Sequence, residues 1–435
     1  MNREILRLAI PNIISNISVP LLSTADVIFM GRLSGLHIGA VGIGSMLFSF
    51  LFWNFGFLRM GTTGMSAQAF GRHDFSEINR LLQRALGVAI VIGISLWILS
   101  PYIWKAGAFL MNVSEDQYSM VHTYFSIMII SAPATLMLFT INGWFFGLQN
   151  AFLPLALTVF INIVNIGLSF YFVVIADFEI AGVAWGTVIA QYLGCTLAVI
   201  LAWKTYGKYI EAVHWSKLFK PEAFAGFFNV NKNIFIRTLC LSLTFGFFYS
   251  QSSAHGELLL AANVILMQLL NWMSYGIDGF AYAAESLVGK YYGAENPSQM
   301  KKAVNTSILW GLGLAVLYSL VYGVFSTPVL SLFTDEGEVV QTALIYIAWM
   351  TVLPLAGFGS YIWDGIFIGI TATKAMRNTM FLALLVFIGA YYLGNYWLGP
   401  NHGLWLALML FLAGRGAFQW FWYKYFWVRN NLMSF

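Results

Sequence analysis

Residues 142–147 read NGWFFG, and 222 positions later residues 364–369 read DGIFIG. Two more pairs of segments keep nearly that spacing. Residues 182–185 (GVAW) parallel 403–405 (GLW) at an offset of 221, and 71–85 (GRHDFSEINRLLQRA) match 289–303 (GKYYGAENPSQMKKA) at 218. Three anchors in one order, each offset by about half of the 435 residues, mark an internal repeat. Both six-residue motifs contain G-x-x-x-G, as does Gly182 to Gly186, a spacing that lets helix backbones approach closely.

Composition says what is repeated. The chain is 59% hydrophobic and only 9% charged, with a mean hydropathy of +0.75. It is therefore an all-α polytopic membrane protein, since about 20 apolar residues cross the roughly 30 Å hydrocarbon core as a helix. Apolar runs set against breakers predict spans at about 8–29, 38–70, 83–104, 119–147, 151–175 and 180–203. A second six follow at about 233–251, 258–289, 303–325, 340–369, 378–398 and 403–427. Six spans per repeat preserve orientation, so the expectation is twelve transmembrane helices in two pseudo-symmetric six-helix lobes around a central cleft. The lobes are 1–203 and 233–435. The first span lacks a signal-peptide cleavage site and is read as a retained helix.

With the N-terminus inside, the 22 Lys and Arg divide into 18 on the cytoplasmic side, with Arg84, Arg237 and Lys424 at the cytoplasmic ends of their spans counted there, two outside (Arg32, Lys105) and two deeper within spans (Arg59, Arg415). This bias is the positive-inside pattern and puts both termini in the cytoplasm. Residues 204–232, which mix Lys with Trp and Phe, read as a cytoplasmic linker, either interfacial against anionic lipid headgroups or simply solvated. The net charge of +4 is accounted for there and does not imply nucleic acid. The two cysteines lie in apolar runs, and no Cys/His spacing suggests a metal or a disulfide framework.

Intramembrane polar residues are the candidate functional groups, because an ionised Asp at the bilayer centre is unfavourable by roughly 2.5–3.5 kcal/mol. Four acids fall within spans: Asp26, Asp278, Glu285 and Asp364. Arg59 and Asp278 lie twelve and eleven residues before Gly71 and Gly289, near-equivalent places in the two repeats. They form either a static neutralising pair or a gate. Glu285 shares a helical face with Asp278 and is expected near the cytoplasmic mouth. Asp26 has no local cation. Its candidate neighbours are neutral: Asn162 and Asn165, spaced i, i+3 on one helix face, with Thr187 and Gln191. Such a pocket suits a carboxylate that exchanges a proton. Pro20 removes a helical hydrogen bond six residues before Asp26, so the first span is able to bend there.

The segments 7–33 (RLAIPNIISNISVPLLSTADVIFMGRL), 57–71 (FLRMGTTGMSAQAFG), 141–149 (INGWFFGLQ), 162–166 (NIVNI) and 364–369 carry a resemblance. Nearly the whole chain resembles the multidrug and toxic compound extrusion (MATE) family, and within it the DinF-like branch. The resemblance implies export of amphiphilic, often cationic compounds by cation antiport with alternating access. It also implies proton coupling at Asp26, with Pro20 at the bend and Asn162 and Asn165 in its polar network. Relatives with Na+ coupling carry a Glu on the seventh span, where 237–253 has none, so the proton is expected, with Na+ as the alternative ion.

The expectation is thus a small-molecule exporter of the bacterial inner membrane, monomeric, in contact with lipid, without cofactor and not an enzyme. Cleft or gating residues are expected among Arg59, Met60, Asn142, Asp278, Tyr282, Glu285 and Asp364, with aromatic residues able to meet organic cations. A lipid-linked precursor flippase of the same superfamily would want a strongly basic cavity. A membrane enzyme acting on polyprenyl lipids would need clustered acids or His, and the six His residues are scattered.

Overall fold

The computed structural model describes residues 1–31, 35–209 and 221–427, with the side chains of 19–31, 35, 223, 426 and 427 left aside. Among these residues the ordered structure is helical. The first half comprises α1 (Asn2–Gly31), α2 (Gly35–Asn54), α3 (Phe57–Gly71), α4 (Phe75–Ile98), α5 (Ser100–Leu110), α6 (Glu115–Met128), α7 (Ala132–Gly147), α8 (Phe152–Phe170) and α9 (Glu179–Tyr206). The second comprises α10 (Pro221–Ala254), α11 (Glu257–Gly293), α12 (Pro297–Val324), α13 (Ser326–Leu330), α14 (Gly337–Gly369), α15 (Thr373–Leu398) and α16 (Pro400–Trp422). Ten of the described helical segments are long and apolar enough to cross a bilayer. With α1 and α10 in the two remaining places, the count is the twelve that hydropathy predicts.

Differences from the expected spans have local causes. The second span breaks into α2 and α3 around Phe55 and Gly56, and the fourth contains a 3-10 turn, Ile129–Ser131, just before Pro133. The expected linker is helical in part. α9 runs on to Tyr206, and α10 starts at Pro221 and carries Glu222 in its first turn, both suited to a helix N-terminus.

The chain forms two compact units, Ile14–Asn231 and Met1–Ile13 with Lys232–Phe435, here the N-terminal and C-terminal units. Their internal packing repeats at an offset of 222. In the N-terminal unit α7 packs on α3 and α4, and α8 on α9. In the C-terminal unit α14 packs on α11 and α12, and α15 on α16. Asp74 caps α4 by accepting from Glu77 N at 2.9 Å, and Asn296 caps α12 by accepting from Gln299 N at 3.1 Å. These capped N-termini each satisfy an orphan amide. Helix ends turn through left-handed residues at matching places, His73 and Glu295, then Gln149 and Thr371.

This register corrects one expectation. Gly71 ends α3 as Gly293 ends α11, so the partner of Gly71 is not Gly289, and Arg59 corresponds to Ala281 rather than to Asp278. Short interhelical loops share composition over several alignments, whereas caps and glycine contacts allow one.

The motif glycines make those contacts. A Cβ on Gly143 would fall on the backbone carbonyl of Arg59, and one on Gly365 on that of Ala281. One turn on, Gly147 faces Thr63 O and Ser66 Cβ, and Gly369 faces Glu285 O and Gly289 N. Every one of these pairs lies inside one unit, so the G-x-x-x-G spacing closes packing within each repeat. Gly365→Ala is expected to destabilise the protein by about 3 kcal/mol, because the obstructing atom is backbone and cannot rotate away. Thermal unfolding in detergent checks this, and an unchanged midpoint would refute the close approach.

Candidate functional site

In the N-terminal unit, α8 turns a polar stripe toward α1 and α9. Thr158, Asn162 and Asn165 recur at i, i+4 and i+7 and so lie on one face. Ser15 Oγ on α1 donates to Thr158 Oγ1 at 2.9 Å, and Asn162 Nδ2 donates to the Ser18 carbonyl at 3.3 Å. Ser18 Oγ in turn donates to Ser15 O at 2.7 Å. Asn165 is buried and its Nδ2 donates to Thr187 Oγ1 on α9 at 2.8 Å. Gln191 follows Thr187 by one turn and is half-buried.

Asn165 and Thr187 are thus joined directly, while Asn162 on the same face of α8 bonds α1, and among the described residues this stripe carries no formal charge. The carbonyl that Asn162 engages lies two residues before Pro20. Asp26 and Pro20 belong to the same helix, α1, and their side chains lie outside the described residues. Asn165 Oδ1 is buried with no hydrogen-bond donor among the described residues. Such an acceptor is unfavourable unless something donates to it, and a protonated carboxyl or a hydroxyl would do so. The spacing of Asn162 and Asn165 is visible in the sequence. Ser15, Ser18 and Thr158 are not distinctive there, because serine and threonine are common in apolar helices, where they usually bond their own backbone.

Elsewhere in this unit, Arg59 on α3 is half-buried, with its guanidinium carbon 6.0 Å from the Phe146 ring centroid on α7. Met60 beside it and Asn142 on α7 are half-buried too. The Gly143 contact brings the start of the NGWFFG motif against the Arg59 backbone.

The C-terminal unit holds the charged cluster. Asp364 Oδ2 accepts from Arg237 Nη2 on α10 and, at 2.5 Å, from Arg415 Nη2 on α16. Its Oδ1 accepts from Gln419 Nε2 at 2.7 Å. All four side chains are buried. A carboxylate shared by two guanidiniums is a strong, charge-assisted arrangement that fixes three helices to one another. Arg415 also lies over the Phe411 and Tyr361 rings, at 5.6 and 6.0 Å. Asp278 and Tyr282 on α11 are half-buried, and Asp278 lies within electrostatic range of both Arg237 and Arg415.

One expectation is corrected here. Arg59 and Arg415 are not the only bases within the helical bundle, because Arg237 is buried against Asp364 from a helix that hydropathy reads as beginning only four residues before it. Glu285, on the same face of α11 as Asp278, is fully buried where Gly369 draws α14 onto its turn. Sequence reasoning also missed a neutral hub in this unit. Asn263 bonds Ser252 at 2.9 Å and exchanges hydrogen bonds with Asn401 at 2.7 and 3.2 Å, and its Oδ1 accepts from Trp405 Nε1 at 2.9 Å.

The repeat compares the two units directly. At an offset of 222, Asp364 corresponds to Asn142 and Arg237 to Ser15. Ionic groups thus stand in one half where neutral amides and hydroxyls stand in the other.

Comparison with known proteins agrees with this architecture. The MatE family model matches twice, over residues 11–171 and 234–393, in register with the repeat. DNA damage-inducible protein F of Escherichia coli K12 is 35% identical over 416 residues, covering 95% of this chain and 90% of that protein. A probable multidrug resistance protein NorM of Pseudomonas syringae pv. tomato is 25% identical, over 96% of this chain and 94% of that protein. Among solved structures, the Vibrio cholerae MATE transporter VcmN in the bent form superposes with a TM-score of 0.87 at 19% identity, covering all of this chain and 98% of that one. With both halves matched and a relative above 30% identity across almost its whole length, the chain belongs to the MatE family of multidrug and toxic compound extrusion transporters.

Proposed function

We infer that the protein exports amphiphilic, often cationic small molecules in exchange for protons, with Asp26 as the coupling carboxylate. It works as a monomer in the bacterial cytoplasmic membrane with both termini on the cytoplasmic side. The observation that carries this reading is the charge-free polar stripe of α8, whose Asn162 bonds α1 at Ser18 and whose Asn165 and Thr187 continue toward α9. An ionised carboxylate placed beside this neutral stripe would be without compensation in the membrane, and a proton would remove that cost. Protonation from outside changes which groups Asp26 bonds along α1, bends that helix at Pro20 and expels the substrate. Proton release inside resets the site. The family relatives named for multidrug resistance support small-molecule export.

One proton exchanged per monovalent cation gives about 1.4 kcal/mol of drive per pH unit, enough for roughly a tenfold substrate gradient. Purified protein in proteoliposomes is expected to move ethidium when a pH gradient is imposed and to ignore a Na+ gradient. Movement driven by Na+ alone would reassign the ion, and movement under neither gradient would overturn antiport.

A further inference from the structure

The two compact units exchange the starts of their first helices. α1 is one helix from Asn2 to Gly31, yet Met1–Ile13 clusters with the C-terminal unit and the rest with the N-terminal one. α10 is one helix from Pro221 to Ala254, yet its residues up to Asn231 cluster with the N-terminal unit. The exchange is reciprocal, as the repeat requires. Each borrowed segment is about three turns long at 3.6 residues per turn.

Specific contacts hold each segment in place. Gly279 on α11 has no side chain, and Ile13 Cγ1 fills that space, with Ala9 O 3.0 Å from where a Cβ would stand. Glu4 Oε1 accepts from Tyr291 OH at 3.0 Å, and Lys290 Nζ lies 4.0 Å away. Asn2 Oδ1 accepts from Trp310 Nε1 at 3.2 Å. On the other helix, Asn231 Oδ1 occupies the space above Gly61 on α3, and Phe227 is buried in the core formed by α3, α4, α7, α8 and α9. Beyond these segments the allegiance changes at once, since Ser15 and Ser18 already bond α8.

A continuous helix whose two ends are fixed to different bodies cannot slide when those bodies move. It must bend between its attachments or let go of one. Packing of Ile13 and Ala9 O onto Gly279, and of the Asn231 side chain onto Gly61, is slow to release, whereas a helix containing Pro20 bends at small expense.

We propose that Glu4 and Tyr291 form a clamp that stays closed through the transport cycle and positions the first three turns of α1, so that motion between the units reaches α1 as a bend beyond Ile13. Glu4 and Tyr291 are positioning residues, acting through α1 and touching neither substrate nor coupling ion. The proposal rests on alternating access but not on Asp26 as the coupling group.

The test uses the full chain in proteoliposomes and ethidium counterflow, which needs the conformational cycle but no net proton movement. Failure of the Asp26 assignment therefore leaves the result unaffected. Cys195 and Cys240 are both buried and free, and are first replaced by Ala. In that background Glu4→Cys with Tyr291→Cys is expected to slow counterflow about tenfold, the equivalent of one hydrogen bond to a charged group. Ethidium affinity at equilibrium is expected to be unchanged. Bridging the two thiols with a short bifunctional methanethiosulfonate is expected to restore the rate, and reduction to remove it again. An unbridged protein at the parent rate would overturn the clamp. A bridged protein that remains slow would show that the contact must open during the cycle, which equally overturns it.

Discussion

Replacing Asp364 by Ala is expected to cost about 3–5 kcal/mol of stability, the penalty typical of breaking a buried ion pair from one side. Arg237 and Arg415 both donate to Oδ2 of that carboxylate, and both are buried. Without it, two guanidiniums would remain in a low-dielectric interior with their mutual repulsion uncompensated, apart from the half-buried Asp278. A loss of that size is a large share of the roughly 5–15 kcal/mol that holds most folds together. Recovery of monodisperse protein in detergent and its thermal midpoint give the readout. Asp364→Asn keeps an acceptor for Gln419 but not the charge, so it is expected to fall between Ala and the parent. Arg237→Ser added to Asp364→Asn copies the neutral residues Ser15 and Asn142 of the other repeat and is expected to recover part of the loss. An Asp364→Ala midpoint equal to the parent's would show that the cluster adds nothing to stability.

Asp26→Asn is expected to fold normally, bind ethidium and lose export driven by a pH gradient. The amide matches the carboxyl in size and keeps hydrogen-bonding capacity toward the α8 stripe, but it neither takes up nor releases a proton. A gradient of two pH units drives about a hundredfold accumulation at one proton per cation, and with coupling abolished that ratio falls to one. Asp26→Glu is expected to retain coupling at a reduced rate, since the carboxyl sits one methylene further along. Full pH-driven export by the Asn variant, with unchanged stability, would remove Asp26 from the mechanism. The two predictions separate cleanly: the Asp364 change is read as stability, the Asp26 change as coupling in a stable protein.

Apolar run length located the spans, because the bilayer imposes a minimum length on any helix that crosses it and that requirement is local to each segment. NGWFFG and DGIFIG gave away the repeat, since glycine is required wherever two helix backbones touch, and Gly143 and Gly365 do touch their neighbours. Asn162 and Asn165 were legible as a face because helical periodicity is written in the chain.

Tertiary structure alone decided the rest. Arg237 finds Asp364 across 127 residues, and no local pattern encodes such a partner. The exact repeat register came from caps and contacts, which moved the counterpart of Arg59 from Asp278 to Ala281. The exchange of α1 and α10 between the units is the clearest case: hydropathy locates the apolar part of each and reads 221–231 as linker, and only packing reveals that the first turns of each helix belong to the other body. Sequence fixes the length, periodicity and polarity of a helix, since these are properties of one segment, whereas allegiance and ion pairing are relations between segments and exist only once the chain has folded.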